Sequence, residues 1–165
     1  MKPRPILQWP DKRLRTPASP VESVTDEIRL IWKEMVHIMN AMPGYGLAAP
    51  QIGVMQRLAV VDCSDERGRS ILLANPEIIE RSETEHVWPE ASPNLPGVSA
   101  VVHRPDNVLV SFTNHEGLRV TERFQDLWAT SVQHQIDHLN GQMFFDRLSR
   151  TKRQMLLKKA GKPSR

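Results

Sequence analysis

Six short strand-like segments follow one another from Arg57 to Phe124: "RLAVVD", "SILLANP", "ETEHVW", "VSAVVH", "NVLVSF" and "LRVTERF". Polar turns separate the later ones, including the turn from Asn114 to Gly117. Strands joined by short connections pair antiparallel, because a parallel neighbour needs a crossover of about a dozen residues or more. Helical patterns bracket this run. In "TDEIRLIWKEMVHIMNAM" the apolar residues Ile28, Ile31, Trp32, Met35, Val36, Met39 and Met42 recur at steps of three and four, which predicts an amphipathic helix. Thr25 is placed to cap it, Asp26 and Glu27 suit its N-terminal dipole, and Pro43-Gly44 ends it. The next stretch, "GYGLAAPQIG", reads as a tight loop. A second helical pattern runs from Leu127 to about Leu139 with Gly141 as its stop, and a third from about Thr151 to Ala160. The expected class is α+β, with mostly antiparallel strands around a late helix and further helices near both ends.

The chain has 165 residues, which predicts a single domain over 1–165 with a core that needs no staples. Cys63 is the only cysteine, so no internal disulfide is available. The start is charged and proline-rich, and no apolar run approaches a membrane span. These features predict a soluble cytoplasmic protein with no membrane partner. The net charge of +3 is uneven: residues 147–165 hold eight Lys or Arg and no acid, which leaves −5 on the rest. A basic tail on an acidic body suits an anionic partner such as RNA, or is a solvated helix face.

Within "SVQHQIDHLNG", His134 and His138 stand four apart. On a helix that spacing places both imidazoles on one face, able to share a metal ion. It also fits two helix histidines bonded to backbone or to Asp137. A zincin-type hydrolase carries a glutamate right after the first histidine to take the proton from metal-bound water, and this chain carries Gln135. No aromatic-rich basic strands or helix-turn-helix pattern marks a conventional nucleic-acid domain.

Three stretches, "GYGLAAPQ", "PEASPNLPG" and "QHQIDHLNG", occur in an order and spacing that resemble the three motifs of peptide deformylase, G-φ-G-L-A-A-x-Q, E-G-C-L-S and Q-H-E-x-D-H. The resemblance extends over nearly the whole chain, from "DKRLR" to the basic C-terminal helix. It implies removal of the formyl group from the N-terminal formyl-methionine of new bacterial proteins. It also implies a divalent metal (Fe²⁺, Ni²⁺, Co²⁺ or Zn²⁺) held by one Cys and two His. By that resemblance His134 and His138 are metal ligands, Gln51 supports the oxyanion, and Gly46 and Leu47 border the substrate. Asp137 is structural, paired with Arg104.

Beside Ala91 in place of the second motif's glycine, three departures bear on the chemistry. Ser92 replaces the ligand cysteine, Pro93 follows it, and Gln135 replaces the catalytic glutamate. A serine hydroxyl is at best a weak neutral ligand where a thiolate is a strong charged one. A glutamine has no pKa useful for proton transfer, which costs about 10²- to 10⁴-fold. Proline lacks the backbone N–H that the family offers to the oxyanion, which costs about 10²- to 10³-fold. The expectation is a deformylase relative with weak or absent activity and a metal site reduced to the two histidines, or empty of metal. Glu90 and His86 are candidate replacement donors. The alternatives are an altered metal-dependent hydrolase of N-formyl or N-acyl substrates and a non-catalytic module visiting ribosomes or nascent chains.

The expected substrate pocket includes Tyr45, Gly46, Leu47, Leu127, Thr130 and Ser131, more polar and bulkier than the family's pattern. Its ligand is a formyl-methionyl peptide or a small N-acyl compound. Thr130 and Ser131 either bond back to helix carbonyls or face the pocket, and Trp128 reads as core. The basic tail keeps the character that suits rRNA phosphates, and the family pattern implies a monomer.

Overall fold

A computed structural model describes residues 2–162, so the expected tail of 147–165 falls partly outside the described residues. Helix α1 spans Asp26–Ala41, with the Thr25 hydroxyl accepting from the Ile28 amide at its start. Seven strands follow: β1 (Gly46–Ala48), β2 (Leu58–Val61), β3 (Ile71–Arg81), β4 (Glu85–Ser92), β5 (Leu95–Pro105), β6 (Asn107–Thr113) and β7 (Arg119–Gln125). Helix α2 (Asp126–Leu139) carries the histidine pair, and α3 (Arg150–Ala160) closes the described chain. Five strands form an antiparallel sheet in the order β1-β2-β3-β6-β7, while β4 and β5 make a separate hairpin. The α+β expectation holds.

The two long helices cover opposite faces of that sheet. Strand β2 explains how: Leu58 and Val60 pack with α1 residues Ile31, Trp32, Met35 and Met39, whereas Ala59 and Val61 pack with Val132, Ile136 and Leu139 of α2. A strand covered on both sides reads as a continuous apolar run, as "LAVV" does. The hairpin seals a third cluster, in which Val98 and Val102 meet Phe144, Phe145 and Leu156 of the C-terminal segment. Helix α2 thus lies between the sheet and the hairpin, and its polar face looks into the gap between them.

Two local expectations need correction. The stretch "GYGLAAPQIG" is not only a loop: it contains β1 and then a short 3-10 turn over Ala49–Ile52. A three-residue strand is too short to declare a period in sequence. Strand β3 also runs past Pro76, which the sequence suggested would end it. The ladder to β6 shifts register between Ala74 and Glu77, and Asn75 takes a φ of 49° there. The bulge absorbs the proline, which cannot donate to a ladder. Asn75 is fixed by paired 2.8 Å hydrogen bonds, its amide donating to the Val21 carbonyl and accepting from the Val21 amide.

Candidate active site

Three elements meet at a cleft of about 410 Å³. The first is the β1 segment, which supplies Tyr45, Gly46 and Gln51. The second is β4, where the two-residue alternation of a strand sends Trp88, Glu90 and Ser92 inward. The third is α2, whose Leu127, Thr130, Ser131, His134 and Gln135 recur at helical spacing on one face. The site residues expected at the cleft therefore line it, with two exceptions. Leu47 is fully buried against α1 in the core, and its side chain takes no part in the cleft wall. His138 lies behind His134 and is also buried.

A charged network runs under the floor. Arg104, 1% exposed, grips Glu90 with two nitrogens at 2.6 and 2.9 Å and donates to Asp137 at 2.9 Å. Asp137 accepts two further bonds from Arg147, at 2.6 and 3.0 Å. The expected pairing of Asp137 with Arg104 is present, and Arg147 is an addition. Two carboxylates and two guanidiniums cancel in charge, with Arg104 buried and Arg147 reaching solvent. Glu90 then accepts from Nδ1 of His134 at 2.8 Å, which fixes that ring and turns its Nε2 toward His138. The two Nε2 atoms are 3.1 Å apart. Burial, and then the neighbouring His134 and Arg104 charges, hold His138 well below its ordinary pKa and keep it neutral. Its Nδ1 has no partner.

Burial pushes the Glu90 carboxyl up, but the bonds from His134 and Arg104 outweigh it and bring the pKa from 4.5 down to about 2. A carboxylate with a depressed folded pKa stabilises the fold above its unfolded value and loses that contribution as pH falls through the folded one. Denaturant midpoints measured from neutral pH downward should therefore drop between about pH 4.5 and 2. The full loss is about 3 kcal/mol, and Glu90→Gln should flatten this part of the profile.

The second motif is organised by Asn94, which sequence reasoning did not single out. It sits in the two-residue turn that joins β4 to β5, and it is fully buried. Its amide nitrogen donates to the Leu7 carbonyl at 2.7 Å. Its Oδ1 accepts from Ser92 Oγ at 2.9 Å and from Gln51 Nε2 at 2.7 Å. An asparagine beside a proline in a turn was the available signal. Gln51 also accepts from the Ala48 amide at 2.8 Å, and its approach to Ser92 Oγ, at 3.5 Å, is too long to count for much.

The other polar residues of the wall are likewise satisfied internally. Thr130 meets Nδ1 of His86 at 2.9 Å, and Ser131 donates to the Tyr45 carbonyl at 2.9 Å, so neither bonds back along its helix. His86 stacks on Trp88, which meets Tyr45 edge-on across the mouth with ring centres 6.4 Å apart. Trp88 was also missed, although its place in the β4 alternation pointed inward. Trp128 is half-buried at the margin of the core.

These contacts decide how well the donors fit the metal that the motifs imply. Two imidazole nitrogens facing each other at 3.1 Å suit one shared ion. A third donor does not fit. Ser92 is a neutral hydroxyl turned to Asn94, Glu90 is consumed by Arg104 and His134, and His86 is held by Thr130. Among the described residues, no group of three or more His, Cys, Asp or Glu is placed to hold a metal ion. Cys63 is no substitute: it stands apart from the cleft lining, and burial pushes its thiol up to about 12. No helix of the described chain is long and apolar enough to cross a membrane.

Comparison with known proteins identifies the fold and the family. The sequence model of the family described as polypeptide deformylase matches residues 3–154. Peptide deformylase of Hydrogenovibrio crunogenus is 42% identical, over 93% of this chain and 90% of the relative. That of Rhizorhabdus wittichii is 41% identical, over 98% and 96%. Among solved structures, a peptide deformylase from Synechococcus elongatus in complex with actinonin superposes with a TM-score of 0.91 at 34% identity, covering 99% of this chain and 90% of that one. One from Legionella pneumophila gives 0.89 at 37% identity, covering 96% and 94%. Matched by that family model over most of its length, the chain belongs to the polypeptide deformylase family.

Proposed function

We propose that this chain binds N-formyl or N-acyl peptide ends in the cleft and hydrolyses the formyl group far more slowly than the family reaction requires. The observation that carries this reading is that Glu90, the one carboxylate lining the cleft, is already paired with Arg104 and His134. Among the described residues lining the cleft, no carboxylate is left to serve as third ligand or as general base. Gln135 cannot carry a proton, and Pro93 offers no N–H to an oxyanion. Gln51, His134 and His138 keep the family roles of oxyanion support and metal ligation only in part, since the Gln51 amide nitrogen already donates to Asn94. Ligand binding itself is supported by the cleft's volume, which lies in the range of small-ligand sites, and by relatives solved in complex with actinonin.

The facing nitrogens of His134 and His138 favour a second reading, an altered hydrolase with a weakly held ion. A contribution of α3 to ribosome contact rests on its exposed Arg150, Lys152, Lys158 and Lys159 alone. Titration with Co²⁺ separates strong from weak metal binding. Wild type should bind weakly, while Ser92→Cys should bind at least about tenfold tighter with a sulfur-to-metal absorption band, because it restores an ionisable thiol in the cleft that His134 also lines. Equally tight binding by both proteins would mean that another donor already completes the site.

A further inference from the structure

The loop between β2 and β3, residues 62–70, holds Arg67 in the left-handed region, with a φ of 61°. Glycine and asparagine take that conformation at lower cost than arginine. Strain of this kind persists only where the surroundings hold it, and it clusters at ligand-binding and switch positions. The half-buried Arg67 side chain reaches back to the start of β1. Its Nη1 donates to the Gly44 carbonyl and, at 3.2 Å, to the Asp62 carbonyl. Its guanidinium carbon stands 5.8 Å from the centre of the Tyr45 ring. Gly44 and Tyr45 both line the cleft, so Arg67 stands beside the rim, just outside the lining residues. Both bonds use the same nitrogen. Among the described residues, Nε and Nη2 have no protein partner and the guanidinium makes no ion pair. The two other arginines near the site are neutralised, Arg104 by Glu90 and Asp137, and Arg147 by Asp137. Asp62 turns its carboxylate to Ser64, Arg69 and Ser70.

We infer that Arg67 is a specificity-determining residue that recognises a carboxylate on a peptide seated in the cleft, so that the site prefers acidic ligands. The free Nε–Nη2 edge of the guanidinium is a planar fork that matches the two oxygens of a carboxylate. Two main-chain carbonyls hold Nη1 and the Tyr45 ring backs the group, so the fork is oriented in advance and little rotamer freedom is left to lose on binding. The one carboxylate lining the cleft, Glu90, is engaged with Arg104 and His134 and does not compete for the fork. The ligand's carboxylate comes from an acidic side chain or from the C-terminus of a short peptide, and the chemistry of recognition is the same for both. This rests on the proposed function, since a carboxylate is brought to Arg67 only as part of a peptide lying in the cleft.

The test is calorimetric titration of the full chain, without added metal, with three peptides that share one neutral N-terminus: N-acetyl-Met-Ala-Ser amide, N-acetyl-Met-Asp-Ser amide, and N-acetyl-Met-Ala-Ser with a free carboxylate. Wild type should bind at least one of the two carboxylate peptides about 3- to 10-fold tighter than the uncharged one. A gain for the Asp peptide alone assigns the fork to a side chain, and a gain for the free carboxylate alone assigns it to a chain end. The gain should shrink as salt rises from about 50 mM to about 500 mM. Arg67→Gln should bring the ratio to about one, and Arg67→Lys, which keeps the charge and loses the fork, should retain only part of it. Equal wild-type affinities for all three peptides, or a ratio that survives in Arg67→Gln, would overturn the role of Arg67 while leaving the proposed function standing. Should Arg67→Gln fail to fold, a ratio undiminished in Arg67→Lys would overturn it as well. A wild type that binds none of the three would overturn both.

Discussion

Replacing Ser92 by Cys, Pro93 by Leu and Gln135 by Glu together raises formate release from a formyl-methionyl peptide by at least about 10³-fold in excess Fe²⁺ or Ni²⁺. The three changes restore, in turn, an anionic ligand, an oxyanion N–H and a proton carrier. General base catalysis is worth about 10²- to 10⁴-fold, and one oxyanion donor about 10²- to 10³-fold. The terms do not add, because groups that act as a unit fail as a unit. Each single replacement should therefore recover little: Gln135→Glu has no firmly held metal to serve, and Ser92→Cys has no base. The surroundings already suit the triple variant. Gln51 stands at the cleft, the two imidazole nitrogens face each other at 3.1 Å, and Glu90 holds His134 in place. A triple variant that binds metal yet stays at background would mean that other features, such as the aromatic mouth of Tyr45 and Trp88, block the reaction.

Arg104→Met destabilises the fold by about 3–5 kcal/mol, the usual result of removing one partner from a buried ion network. Arg104 is 1% exposed and serves both Glu90 and Asp137. Its loss strands Glu90 in the cleft floor with only His134 as a partner. For a chain of this length the melting temperature should fall by roughly 10 °C or more. Arg147→Met is the contrast. The Arg147 side chain is 45% exposed and Asp137 would keep Arg104, so its loss should be small. Near-equal stability of Arg104→Met and wild type would mean that the network is incidental to the fold.

The parts of this architecture that sequence reasoning reached are those with a local period. Helix α1 follows from apolar residues at three and four, with Thr25 at its cap, and β4 to β7 follow from alternation between polar turns. The histidine pair lands on one helix face because i and i+4 must. What escaped depends on contacts distant in sequence. Strand β1 is three residues long and exists because β2 pairs with it. Leu47 sits in a motif that borders the cleft, but strand alternation turns its side chain to α1. Asn94 is an ordinary turn residue until Leu7 and Gln51 meet it from 87 and 43 positions away. Glu90 was a plausible replacement ligand in sequence, and only Arg104 and His134 in place show that its carboxylate is taken.

We propose that this chain keeps the deformylase fold without the groups that carry out the reaction at the family's rate. Formate release from a formyl-methionyl peptide, with Fe²⁺ or Ni²⁺ in excess, measures this most directly. A His134→Ala sample purified alongside sets the background from contaminating host enzyme. Wild type and His134→Ala should be indistinguishable. A wild-type rate clearly above that background would contradict it, because the chain would then possess a base and a ligand set that Ser92, Pro93 and Gln135 do not supply.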